Sequence, residues 1–212
     1  MVKQDRARRT YALVLDAAAA EFAAQGFAAT NLQAVARRTG LTKGALYGHF
    51  ASKAELGDEL TREFEERWQA LLAAAAGSGA SPVRVLDLLL QQLTDRARRD
   101  VRFSAGLRLV IEKARAEGTD VVQLEQLRAL LLHLVIVAQD SGGIDPGHEP
   151  EVLSQLLLAV LLGLHQLAPA VPPEQDGERT RRLWGMLLPA MCPPVPGQGR
   201  PAAPTAPVVP GG

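Results

Sequence analysis

Residues 39–56 read TGLTKGALYGHFASKAEL, a short basic stretch in which glycines, two lysines, a histidine and a tyrosine are set between apolar residues. Alanine-rich sequence of helical period flanks it on both sides. Upstream, Val14, Ala18 and Phe22 recur every four residues with Leu15 beside them, which predicts a first helix over 6–25. Gly26 is placed to end it. Thr30-Asn31-Leu32-Gln33 reads as a capping box, with Thr30 as the cap of a short helix over 32–39. Gly40 breaks that helix, and a second short helix is predicted over 43–49. Ser52-Lys53-Ala54-Glu55 is another capping box and opens a longer helix to about residue 76.

Two short helices joined by a glycine turn, after one longer helix, make a helix-turn-helix. In that motif the second helix enters the DNA major groove and the first braces it. The composition of 43–49 suits this use. Gly44 and Ala45 are small enough for close approach to base edges, and an alanine methyl matches a thymine methyl. Thr42, at the helix start, offers a hydroxyl beside amides that can take a phosphate. Lys43, Tyr47, His49 and Lys53 carry donors for phosphate oxygens. Composition alone also fits a helical hairpin inside a larger bundle.

The charge pattern points the same way. The whole chain is neutral, but residues 1–54 carry eight basic side chains against three acidic ones, and the remainder balances them. A basic N-terminal quarter on an acidic body fits contact with a polyanion, or simply scattered solvated charge. Arg6 and Arg37 from this quarter join the candidate DNA contacts.

The rest reads as helix. Aliphatic residues dominate a chain that is 47% hydrophobic and only 4% aromatic, which favours helices over a β-sandwich. GSGASP at 77–82 is a linker, and helices are predicted over 83–97, 102–116, 121–139, 151–168 and 177–191. DSGGIDPGHEP at 140–150 is a loop, PAVPPEQD at 169–176 a break, and the Pro-, Ala- and Gly-rich tail from 193 a disordered segment. The helices over 121–139 and 151–168 are apolar nearly all round, so they demand burial on every side. Leu156, Leu157, Val160 and Leu164, with Leu183, Trp184 and Leu187 from the last helix, are the candidate dimer interface; an intramolecular core is the alternative. The apolar run 153–168 is broken by polar residues and short for a bilayer span of about 20 residues, so a buried helix is expected and no membrane.

Other classes find little support. The lone Cys192 forms no internal disulfide and has no zinc-site partners, and the polar N-terminus shows no signal peptide, so a cytoplasmic setting is expected. No metal cluster, nucleophile elbow or glycine-rich phosphate loop is present, so no catalytic residue, metal or cofactor is expected.

Residues 14–56 closely resemble the DNA-binding domain of TetR-family transcriptional regulators. The match rests on Ala17-Ala18, Phe22, Gly26-Phe27, Thr30, Val35-Ala36, Gly40-Leu41-Thr42, Gly44, Leu46-Tyr47, His49-Phe50, Ser52-Lys53 and Leu56. Within the family, TKGALYGHFASKAEL looks most like the γ-butyrolactone receptors of Streptomyces-type actinobacteria; AGLRLVIE at 105–112 and AQDSGGIDP at 138–146 look like drifted later segments of that branch. The resemblance implies an all-α homodimer. A three-helix DNA-binding domain at 1–54 would precede a helical ligand-binding and dimerisation domain at 55–191 and a tail at 192–212. Implied partners are a double-stranded, pseudo-palindromic operator and a small apolar effector that releases it, in control of antibiotic genes. Candidate pocket residues are Leu107, Val110, Gln126 and Leu130, then His133, Leu134, Val137 and Leu161, with His165 and Gln139 as further polar groups. Arg108 and Glu112 read as a helical ion pair.

Two departures stand out. Gly48 replaces a bulky residue of the branch inside the expected recognition helix, where a glycine costs about 1 kcal/mol. The branch's ligand-covering tryptophan, expected near 121–128, is absent, and both tryptophans, Trp68 and Trp184, lie elsewhere in the sequence. The second departure puts a lactone ligand in question and admits a pseudo-receptor with another signal. A drug-responsive repressor of an efflux gene, and a binding module that has lost DNA contact, are the other readings.

Overall fold

A computed structural model describes residues 2–166 and 173–193. Among them are nine α-helices and no strand: α1 (Val2–Ala29), α2 (Leu32–Thr39), α3 (Lys43–Tyr47), α4 (Lys53–Ala76), α5 (Pro82–Arg99), α6 (Val101–Glu117), α7 (Val122–Asp140), α8 (Pro150–Gln166) and α9 (Pro173–Ala190). The all-α expectation holds, and most predicted helix limits fall within a few residues of the observed ones. The tail beyond Pro193 and the first half of the expected break, 169–172, lie outside the described residues; α9 starts within that break, at Pro173.

The early boundaries follow local chemistry. Helical geometry stops at Gly26, whose φ of 78° and ψ of 179° suit only glycine, and a single turn completes α1 beyond it. The cap of α2 differs from the sequence reading. Asn31, not Thr30, is the N-cap, and its side chain accepts from Gln33 N at 2.8 Å. Thr30 is buried and donates its hydroxyl to Gly26 O at 2.7 Å, which closes the broken end of α1. Gly40 ends α2 in the left-handed region, as predicted. Ser52 caps α4 through Glu55 N, and the Glu55 carboxylate accepts from Ala51 N.

Two cores result. In the head, Val14, Leu15, Ala18 and Phe22 of α1 meet Val35 of α2, Leu46 of α3 and Phe50. Leu56 and Leu60 from α4, with Ala105 and Leu109 from α6, complete this core. In the body, Phe64, Trp68 and Leu71 of α4 pack with α5, α7, α8 and α9. The expected domain limit at residue 54 thus falls in the first turn of a helix, α4, that serves both cores. At the crossing of α4 with α6, a Cβ on Gly106 would lie 2.8 Å from Leu60 O and also strike the Phe64 side chain. Only glycine lets the two backbones approach so closely.

Two helices, α1 over Gln4–Ala29 and α7, are long and apolar enough to cross a bilayer by length and composition. Their apolar residues are used instead in the two cores, Phe22 on α1 and Leu127, Leu131 and Val135 on α7.

Candidate nucleic-acid interface and ligand cavity

The head builds a helix-turn-helix from α2, a three-residue turn and α3. Val35 and Ala36 fix α2 to α1, while Leu46 and Phe50 seat α3, so register follows from burial. Tyr11 stacks on Phe50 with ring centroids 4.7 Å apart. Burial, aided by a hydrogen bond to Glu59, pushes the Tyr11 phenol up to about 12, so it stays a neutral donor between α1 and α4. Seating α3 this way turns Gly44, Ala45 and Tyr47 outward, and Thr42 beside them is exposed. Thr42 Oγ1 accepts from Ala45 N at 3.2 Å, which leaves its hydroxyl hydrogen able to donate to a phosphate. No atom lies within 4 Å of a Cβ built on Gly44. Lys43 opens this helix. His49 is half-buried, and Arg6 and Arg37 are exposed on the same head.

Two expectations about this surface need correction. Lys53 does not stand ready for phosphate: its Nζ donates to Phe27 O at 2.8 Å, Thr30 O at 3.1 Å and Ala28 O at 3.2 Å, over the Phe27 ring. These carbonyls are orphaned by the break at Gly26, and the ammonium caps them. Lys53→Met is expected to cost about 1–2 kcal/mol of stability, read as a lower melting temperature, with a folded spectrum retained. Gly48 also lies outside the recognition helix. It is the C-cap of α3, with φ of −72° and ψ of −17°, so the mid-helix glycine penalty does not apply and other residues fit there.

The body holds a small, partly open apolar cavity walled by α4, α5, α6, α7 and α8. Leu107 and Leu161 line it as expected; Trp68, Phe103, Leu124, Leu127 and Leu162 supply most of the remaining apolar wall. His165 lies at its edge, while His133 faces solvent on the outer side of α7 and cannot contact a guest. Leu134 packs in the body core and Val110 and Leu130 against it, while Val137 is half-buried on α7; none of the four lines the cavity. Gln126 acts one step back, accepting from Trp68 Nε1 at 3.1 Å. Gln139 ties the loop after α7, donating to His148 O at 2.7 Å and Asp145 O at 3.0 Å. The segment 121–128, where the branch's tryptophan is expected, gives Leu124 and Leu127 to the wall, and Trp68 lines it from α4. Sequence order hid this because only the packing of α4 on α7 brings the two together.

Helix α6 joins cavity to head. Phe103 and Leu107 face the cavity, and the other side of α6 grips α1. Arg102 donates to Asp16 at 2.7 Å and Ala12 O at 3.0 Å, and Arg108 to Ala23 O at 2.8 Å. The Glu112 carboxylate lies over Gly26, accepting from Phe27 N at 2.7 Å and from Arg108 Nε at 2.8 Å. Burial pushes the Glu112 carboxyl up, but Arg108 and the Phe27 amide outweigh it and hold it below the ordinary value. The ion pair predicted between Arg108 and Glu112 is present, and its larger role is to pin α6 to the end of α1.

The dimer candidates divide. Trp184 is fully buried and donates through Nε1 to Thr94 Oγ1 at 3.3 Å, and Leu157 is also fully buried, so both belong to the protomer's own core. Leu156 and Leu183 are exposed, and Val160, Leu164 and Leu187 are half-buried. Val152 and Met186, missed in the sequence, add exposed apolar surface to α8 and α9.

A basic helix-turn-helix head is joined by shared helices to an all-α body with a small cavity, the layout of a DNA-binding regulator. Residues 14–60 match the family of bacterial regulatory proteins of the tetR type. That match gives the chain a TetR-type DNA-binding domain, and TetR-family proteins are transcription regulators rather than enzymes. It is 28% identical over 205 residues to the A-factor receptor protein of Streptomyces griseus, covering 92% of this chain and 68% of that relative. A solved structure concerned with control of antibiotic production by bacterial hormones is 28% identical with a TM-score of 0.56, covering 84% of this chain and 96% of its own. A γ-butyrolactone receptor structure described as ArpA-like shares the fold, with a TM-score of 0.69 at 23% identity over 89% of this chain and 90% of its own. The chain is thus a DNA-binding transcriptional regulator related to γ-butyrolactone receptors.

Proposed function

We propose that the chain is a cytoplasmic homodimeric repressor of secondary-metabolite genes, released from a pseudo-palindromic operator by a small, largely apolar effector. The observation that carries this reading is the double use of α6, which lines the cavity with Phe103 and Leu107 and holds α1 with Arg102, Arg108 and Glu112. A guest that moves α6 moves the head. It biases the protein only insofar as it binds the displaced state more tightly. Two protomers would set their α3 helices in successive major grooves about 34–36 Å apart, a distance that small head rotations spoil. Thr42, Lys43, Gly44, Ala45, Tyr47 and His49 would face the groove, with Arg6 and Arg37 on the backbone. Control of antibiotic genes is supported by the 28% identical structure concerned with control of antibiotic production, and a lactone-like signal or an antibiotic intermediate would suit the apolar wall.

The reading without DNA binding loses its support, because Gly48 caps α3 instead of weakening it. A cationic-drug sensor finds no carboxylate among the described residues lining the cavity.

The test is fluorescence anisotropy of labelled DNA from the gene's own upstream region, with and without a lipophilic culture extract. Salt-sensitive binding reversed by the extract is expected. Binding that the extract leaves intact would reject release by a lipophilic effector, and absence of binding at low salt would reject self-regulation. For the dimer, Leu156→Glu with Met186→Glu is expected to convert the protein to monomers in sedimentation, with thermal stability of the protomer changed by less than about 1 kcal/mol. A dimer that survives both charges places the interface elsewhere.

A further inference from the structure

Glu21 is one of three acidic residues in the basic first 54, and it is the buried one, on α1. Both of its carboxylate oxygens are occupied. Gln25 Nε2 donates to Oε2 at 3.1 Å, and Arg38 Nε, from the last turn of α2, donates to Oε1 at 2.6 Å. The pair is lopsided: the Glu21 side chain is 8% exposed and that of Arg38 is 54% exposed. Only the Nε–H of the guanidinium is used. Its two Nη groups make no hydrogen bond or ion pair with any described residue. Val35 and Ala36 seat α2 on the head core, which turns the next two residues, Arg37 and Arg38, to the surface. Four residues beyond Arg38, Thr42 caps α3. In a helix-turn-helix the first helix crosses the DNA backbone while the second enters the groove.

Resting on the reading of α2 and α3 as the DNA-facing pair, we propose that Arg38 is a contact to a DNA phosphate and that buried Glu21 is its positioning residue. An unheld arginine gives up rotamer freedom when it meets a phosphate; Arg38 has given up much of it beforehand. Glu21 fixes the guanidinium at Nε, and the two free Nη groups can then meet a phosphate oxygen in the paired geometry that guanidinium favours. Burial sets the carboxylate back from the phosphates, which its charge would repel from the surface. Arg37, the neighbouring residue, is exposed and has no such anchor. Charge alone and positioning predict opposite signs for Glu21→Gln. Removing a negative charge from a DNA-binding head strengthens its attraction to a polyanion. Removing the anchor of a phosphate contact weakens binding.

The full chain and its variants are titrated against two labelled duplexes, one from the gene's upstream region and one of scrambled sequence. Anisotropy is read over a salt series, with melting followed in parallel. Arg38→Gln is expected to weaken binding to both duplexes about equally, by roughly tenfold, and to lower the slope of log affinity against log salt by about one for each protomer bound. Glu21→Gln is expected to weaken binding by about threefold or more. The double variant should bind no more weakly than Arg38→Gln alone, because Glu21 acts through Arg38. Unchanged affinity and slope in Arg38→Gln overturn the inference. So does a Glu21→Gln protein that binds as tightly as the parent or more tightly, with only its melting lowered; the pair is then a tie between α1 and α2 and nothing more. If Glu21→Gln fails to fold, Arg38→Gln decides alone. A parent that binds neither duplex at low salt overturns the DNA-facing reading and the inference together.

Discussion

Gly44→Glu is expected to lower operator affinity by at least roughly 100-fold, the effect of a few kcal/mol of like-charge repulsion and steric exclusion, without loss of fold. Gly44 lies on the outward side of α3, and the space beyond its Cα is empty to 4 Å. Its φ is not in the left-handed region, so a side chain is tolerated by the backbone. A carboxylate there would occupy the gap through which α3 must approach the groove and would face phosphate with the wrong sign. Circular dichroism and melting should match the parent, while DNA anisotropy should show no binding at concentrations that saturate it. If Gly44→Glu binds the operator normally, α3 does not enter the groove by this side, and the DNA contacts assigned to Thr42, Ala45 and Tyr47 fall with it.

Trp184→Ala is expected to destabilise the protomer by about 3–5 kcal/mol, the cost of a large buried void. For a chain of this size that lowers the melting temperature by roughly 10 °C. Trp184 is wholly buried among the body helices, and its indole N–H reaches the Thr94 hydroxyl. Removal opens a space beside Thr94, at the cavity wall, and takes a donor from its hydroxyl. An interface tryptophan would behave differently, with a loss of dimer and little change in the protomer's own stability. Melting of Trp184→Ala in the Leu156→Glu, Met186→Glu background separates the two. An unchanged melting point there would return Trp184 to the interface.

The sequence is most legible where local chemistry decides structure. Gly40, the Ser52 cap and the periodicity of Val14, Ala18 and Phe22 each announce an element by rules of one or two turns. The cap of α2 was misplaced by one residue because Thr30 and Asn31 are both good caps. The choice went to Asn31 once Thr30 was needed to close the end of α1. Lys53 misled for a related reason: a lysine beside a recognition helix reads as a phosphate ligand until the three carbonyls it caps, more than 20 residues upstream in sequence, are brought beneath it. The cavity was the least legible part. His133 and His165 look alike in apolar helices, and only the rotation of α7 and α8 about their axes puts the first in water and the second at the cavity wall.

The head has no closed boundary of its own. Leu56 and Leu60 from α4, and Ala105 and Leu109 from α6, are part of its core, and Arg102, Arg108 and Glu112 are part of its hydrogen bonding. A fragment ending at residue 54 would therefore present a stripped apolar face to water. Domain exchange between relatives meets the same limit: a transplanted reader must bring, or find waiting, a matching face on a helix encoded some fifty residues later. The cavity side of α6, with Phe103 and Leu107, can change without touching that face, so the two sides of a single helix are free to diverge at different rates.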